Sequence, residues 1–199
     1  IYEKPDDFRE LEILSKLNSN SINLLAIENG VATQTEINNF VSGDITSYFI
    51  ETDWGSVTNF TDEFRGEDWD YFPVIDTSNA TALTGAWRGN NLVNFPKLNF
   101  SNSSQFAFAW LSNNLATFPS NMFDNLTNPS NSCFLNAWDG SLIDAQGVEN
   151  ILVSIDTSGA NAPASGTDID IGSDGSALTT AAQNAKTSLE SKGWTVDIN

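Results

Sequence analysis

The middle of this chain repeats itself, and an internal repeat constrains a fold more tightly than composition does. Pro73, Pro96 and Pro119 are equally spaced. The same step carries Phe72 to Phe95 to Phe118, Trp69 to Leu92 to Leu115, Phe60 to Leu83 to Phe106, and Phe64 to Trp87 to Trp110. Gly66, Gly89 and Ser112 keep a small residue at one fixed place. A fourth unit continues with Phe134, Trp138 and Gly140, somewhat later than the step predicts, and a five-residue insertion near Asn125–Pro129 accounts for the difference. The units run near 50–73, 74–96, 97–119 and 120–147. One such unit cannot bury its apolar face alone, whereas stacked units make a continuous core. The expected architecture is an α/β solenoid.

The unit Val74–Pro96 shows how each would be built. Val74 and Ile75 read as a short extended segment, and Asp76-Thr77-Ser78-Asn79 as capping and turn residues. Leu83 and Trp87 stand four apart, which predicts a short helix with both side chains on one face. Gly89-Asn90-Asn91 would end that helix, because Gly and Asn tolerate positive φ. Pro96 then restricts the backbone where the next unit begins. Phe60, Phe64, Leu83, Trp87, Phe106, Trp110, Phe134 and Trp138 form the predicted core. The register of the tryptophan column with Leu83 and Phe106 argues against an exposed strip for stacking sugars.

Here the residues resemble a known family. The stretch Ile75–Pro96 is similar to the repeats of BspA-like leucine-rich-repeat surface proteins, at Asp76, Thr77, Ser78, Thr81, Leu83, Trp87 and Gly89. The units on either side depart from it, with Thr52-Asp53-Trp54-Gly55-Ser56 before and Phe100-Ser101-Asn102-Ser103 after. The resemblance covers about half the chain, from Ile50 to Ile155. It implies leucine-rich-repeat-like units of about 23 residues, an exposed binding context, and no catalytic residues. Proteins of this look occur on bacterial surfaces and among phage virion proteins.

Neither end repeats. Residues 1–45 read as an N-terminal helical cap or attachment segment: Pro5-Asp6-Asp7-Phe8 with Leu11, Ile13, Leu14 and Leu17 makes an amphipathic helix, and Thr35–Val41 a shorter one. Lys4, Arg9 and Lys16, three of the eight basic residues, sit there, so this segment is expected to contact whatever carries the protein. The solenoid occupies 46–155, its last part the helix Ala145–Ile155. Residues 156–199 form a C-terminal strand-helix-strand cap, with a bend of small residues at Gly159–Gly166, strand Asp168–Ile171, helix Ser176–Lys192 and strand Trp194–Ile198.

Charge narrows the functional classes. The formal net charge is −18, and no basic residue stands between Lys97 and Lys186. Nucleic-acid binding and adhesion to an anionic membrane both need cations, so neither is expected. No apolar run approaches the roughly 20 residues that span a bilayer. The chain has no histidine, which removes the usual general base near neutral pH. Cys133 alone can form neither an internal disulfide nor a cysteine-based zinc site. Asparagine is abundant instead, while charged residues make up only 17% of the chain.

The candidate chemistry is sparse. Asp168, Asp170 and Asp174, followed by Gly175, have the oxygen ligands and glycine of a calcium loop. The later ligands of such a loop are missing, and outward side chains of a two-residue-period strand explain Asp168 and Asp170 better. Glu63, Glu67, Asp68 and Asp70 are read as a solvated acidic face. No metal, cofactor or catalytic residue is expected. Any activity would have to sit at the irregular insertion, beside Asp124 and Asp139. The expected function is a non-enzymatic structural or binding protein on an exterior surface, most directly a phage virion component such as a capsid-decoration or tail/fibre protein. Its partners would be other virion or surface proteins, with a host-surface glycan or protein as a further contact. A bacterial cell-surface adhesin and a polysaccharide-degrading tail component are the alternatives.

Overall fold

The structure, a computed structural model, describes residues 53–199. The helices expected in residues 1–45 lie outside the described residues.

Successive units lie side by side with their backbones in register. The amides of Phe60, Asp62, Phe64 and Gly66 donate to the carbonyls of Ala82, Thr84, Ala86 and Arg88, each at 2.9 Å. Leu83, Gly85, Trp87 and Gly89 do the same to Gln105, Ala107, Ala109 and Leu111 at 2.8–2.9 Å. Phe106, Phe108, Trp110 and Ser112 follow, to Cys133, Leu135, Ala137 and Asp139. Every second N–H is therefore committed to the next unit.

The N–H groups between these rungs turn back on their own chain: Ala86 donates to the Leu83 carbonyl and Arg88 to that of Gly85. Here the expected helix is corrected. Leu83 to Trp87 form consecutive tight turns, because the amides an α-helix would use belong to the neighbouring unit. The turns need left-handed backbone at Gly85 (φ +64°) and Gly89 (φ +71°). The same two places recur as Asp62 and Gly66, Phe108 and Ser112, and Asn136 and Gly140, all at positive φ. The fixed small residue thus marks a turn rather than a helix end. Val74 and Ile75 form no strand, although Ile75 is buried.

The fourth unit contains strand β1 (Phe134–Ile143). Helix α1 (Ala145–Thr157) leads to strand β2 (Asp168–Ser173), and helix α2 (Thr180–Ser191) to strand β3 (Thr195–Ile198). The three strands make a parallel sheet in the order β1-β2-β3. Phe134 pairs with Ile169 and Trp138 with Ile171, with a register shift between them. Ile169 pairs with Val196 and Ile171 with Ile198, so the two core columns run on into the last strands. The Thr195 amide donates to Thr167, just before β2, and the Asn199 amide to Ile171 within it. Val196 between them turns its carbonyl to the outer edge, where the Lys186 ammonium donates to it.

Both helices start on caps that the sequence supplies. The Asp144 carboxylate accepts from the Gly147 amide at 2.7 Å, and the Thr179 hydroxyl from the Ala182 amide at 3.1 Å. The second cap starts α2 at Thr180, later than the expected Ser176. Val148, Ile151, Leu152 and Ile155 give α1 a buried stripe at helical spacing, and α2 packs along it through Ala182, Ala185 and Leu189. Lys192 bonds both the Asp156 carboxylate (2.7 Å) and its carbonyl (3.0 Å), which ties the two helix ends together.

Aromatic columns fill the interior. Phe64, Trp87, Trp110 and Trp138 stack face to face with centroids 6.1, 5.5 and 5.3 Å apart. Phe72, Phe95 and Phe118 form a second stack at 5.9 Å spacing, meeting the tryptophans edge-on. The indole N–H groups of Trp87, Trp110 and Trp138 are buried with no nitrogen or oxygen partner among the described residues.

Asparagine serves as internal glue. Asn90 and Asn113, one repeat apart, are both buried. Asn90 Nδ2 donates to the carbonyls of Phe64 (2.7 Å) and Trp87 (3.0 Å), and its Oδ1 accepts from the amides of Glu67 and Trp69. Asn113 Nδ2 donates to Trp87 (2.9 Å) and Trp110 (3.0 Å), and its Oδ1 accepts from Leu92. Each satisfies backbone groups that the turns would otherwise bury unpaired. The residues quoted for the family resemblance have the same kind of work. Asp76 accepts from the Ser78 amide, Thr77 donates to the Asn99 carbonyl, and Thr81 donates to the Thr58 carbonyl.

Candidate functional site

The five-residue insertion of the fourth unit does not disturb the rungs. It loops out and, with the bend after α1, forms an open cleft of about 600 Å³. One wall is Leu126, Thr127, Asn128 and Pro129; the other is Ser158 through Pro163. Leu126 is buried at the base and its amide closes a turn onto the Phe123 carbonyl at 2.9 Å.

The opposite wall is held from several sides. Trp194 Nε1 donates to the Ala160 carbonyl at 3.1 Å, and the Ala162 amide donates to the Lys192 carbonyl at 3.1 Å. The Ser158 hydroxyl bonds the Ile155 carbonyl and accepts from the Ala160 amide. Further along, Gly166 passes so close to Ser132 that a Cβ there would stand 2.8 Å from its backbone. Only glycine fits that crossing, and it fixes the bend against the fourth unit.

No charged residue lines the cleft. Asp124, one of the two acids flanking the insertion, is turned away: its carboxylate accepts from the Ser154 hydroxyl at 2.7 Å and from Asn121 Nδ2 at 2.8 Å. Asp139 is exposed on β1 and acts on Asp170 instead. The insertion thus brings together neutral amides, hydroxyls and apolar rings, and keeps the carboxylates out.

Asp168 and Asp170 alternate with buried Ile169 and Ile171 on β2, and Asp174 lies beyond the strand. Asp174 accepts from the Ser176 amide at 2.8 Å, and hydrogen bonding from the Ser176 hydroxyl and amide holds its carboxyl below the usual range. Asp170 accepts from the Asn136 amide at 2.8 Å. Asp197 pairs with it across the sheet. Among the described residues, no three His, Cys, Asp or Glu side chains gather where they would hold a metal ion. Glu63, Glu67, Asp68 and Asp70 are exposed.

Burial raises the Asp170 carboxyl above its ordinary value, and the like charges of Asp168, Asp197 and Asp139 push it the same way, against the Asn136 hydrogen bond. The folded state therefore holds this proton more tightly than the unfolded chain does. Stability falls as pH rises from the unfolded value through the folded one, and the cost is absent below both. Asp170→Asn keeps an acceptor for the Asn136 amide and removes the charge. It should raise Tm at pH 7 by about 1–3 °C, a small gain because solvent screens this half-exposed group. Thermal scans should show that gain vanish near about pH 3. An equal gain at both pH values would contradict the electrostatic cause.

Cys133 is buried between two units, and burial pushes its thiol up to about 12. A thiol so held is no nucleophile at neutral pH. A maleimide or disulfide reagent should label the native protein slowly, at the rate of global opening, and label it at once in denaturant. Fast native labelling would show that the packing around Cys133 is wrong.

Sequence reasoning located the insertion and missed its partner. Nothing in Gly159–Gly166 beyond its small residues signals that it folds against a loop much earlier in the chain. No described helix is long and apolar enough to cross a membrane. Comparison with protein-family models, with curated proteins and with solved structures found no match to this chain.

Proposed function

We propose that this chain is a non-enzymatic structural and binding protein on an exterior surface, a phage virion component of the capsid-decoration or tail/fibre type. Its scaffold is read as an α/β solenoid of leucine-rich-repeat-like units, with residues 1–45 attaching it to neighbouring virion or surface proteins. The rungs and aromatic columns that join each unit to the next support the scaffold reading. The observation that carries the functional reading is the cleft at the insertion, formed without a carboxylate, a cysteine or any other side chain that titrates near neutral pH. Acid–base chemistry in a chain without histidine needs a shifted carboxyl in a pocket, and Asp170, whose carboxyl is raised, lies on the sheet instead.

Mass spectrometry of purified phage particles should recover this chain in the proportion of a structural protein. Recovery from bacterial envelopes instead would move the reading to an adhesin. Purified protein incubated with bacterial surface polysaccharides should leave them uncut. Release of oligosaccharide, lost in Asp124→Asn or Asp139→Asn, would make it an enzyme.

A further inference from the structure

We propose that the cleft between residues 126–129 and 158–163 is a binding site for a neutral carbohydrate. This rests on the binding reading above and names the ligand class for it.

The lining selects the class. The cleft, of about 600 Å³, is lined without a single charged side chain. An anion would find no cation there, and a cation no carboxylate. Its volume lies within the range of small-ligand sites. Asn128 and Asn161 stand exposed on opposite walls, and among the described residues neither amide has a hydrogen-bond partner. An amide presents donors and an acceptor together, which matches adjacent sugar hydroxyls. Thr127 adds a hydroxyl on the same side as Asn128. Pro129, Ala160, Ala162 and Pro163 supply apolar surface against which the C–H groups of a pyranose can pack. A peptide adding as a strand would need a row of open backbone groups, and the Ala160 carbonyl and Ala162 amide are already bonded to Trp194 and Lys192.

The site is also preformed. Trp194, Lys192 and Ser158 hold one wall, and the buried Leu126 anchors the other. Little ordering is left for a ligand to impose, so weak polar contacts suffice for specific binding.

The test is NMR titration of the full chain with neutral oligosaccharides built from glucose, galactose, mannose and N-acetylglucosamine, beside their sulfated and sialylated counterparts. Amide signals of residues 126–129 and 158–163 should shift with at least one neutral sugar, and added salt should leave the affinity unchanged. Asn128→Ala with Asn161→Ala should weaken binding about tenfold or more. Thr127→Trp, which fills the rim from an exposed position, should abolish it. Unchanged thermal unfolding of these variants confirms that the fold is intact. No shift with any neutral sugar, shifts elsewhere, binding of the charged forms alone, or full affinity in the double variant would overturn the proposal. Recovery of the chain in particles does not depend on this outcome, so the two readings fail separately.

Discussion

Asn113→Ala is expected to destabilise the protein by roughly 3–5 kcal/mol, as much as the loss of a large core side chain. The reason is the number of groups it orphans. Truncation leaves the carbonyl of Trp110 and the amide of Leu92 buried without that partner, while the Trp87 carbonyl keeps its bond from Asn90. Each such group costs about 1–3 kcal/mol. Equilibrium unfolding followed by circular dichroism gives the value directly. Ser141, at the matching place in the fourth unit, supplies the control: its hydroxyl is buried and unpartnered among the described residues. Ser141→Ala should be neutral or slightly stabilising. An Asn113→Ala variant within about 1 kcal/mol of the parent would mean that water replaces the amide, and that the units are looser than their hydrogen bonds imply.

The second large effect is Trp87→Ala, at roughly 3–5 kcal/mol. Trp87 is fully buried, lies between Phe64 and Trp110, and meets Phe72 and Phe95 edge-on at 5.4 and 4.8 Å. Removing it opens a cavity that rigid rings cannot collapse to fill. Trp87→Phe should cost much less, because the indole N–H has no nitrogen or oxygen partner to lose. Near-UV circular dichroism provides an independent readout. Coupling among the stacked indoles of Trp87, Trp110 and Trp138 should weaken in either variant. Equal costs for Ala and Phe would point to a hydrogen bond that the structure does not contain.

The sequence carried the core and concealed the backbone. Spacing alone put Phe64, Trp87, Trp110 and Trp138 in one column, because an aromatic at the same place in every unit has no other economical explanation. The turns escaped notice since a tight-turn pair, like one helical turn, returns residues i and i+4 to the same side. Leu83 and Trp87 fit both. Asp62 and Phe108 adopt positive φ without being glycine, and Phe108 is a residue type that does so rarely. Asn90 reads as a turn former, yet its place is interior, where one amide meets four backbone groups. The carboxylate cluster was half visible: Asp168 and Asp170 are neighbours in sequence, while Asp139 and Asp197 join them only through strand register.

A parallel ladder is translationally symmetric, and nothing in its geometry says where to stop. Each added layer leaves the same edge that received it, the condition under which identical chains grow end to end into fibres. Among the described residues β3 is the outer strand of the sheet, and there the Val196 carbonyl is already taken by Lys186, a cation reaching over from α2. The same lysine pairs with Glu190 at 2.9 Å, which holds it in place. A basic residue in a stretch otherwise nearly without them thus occupies one of the groups that a further strand would need at this edge.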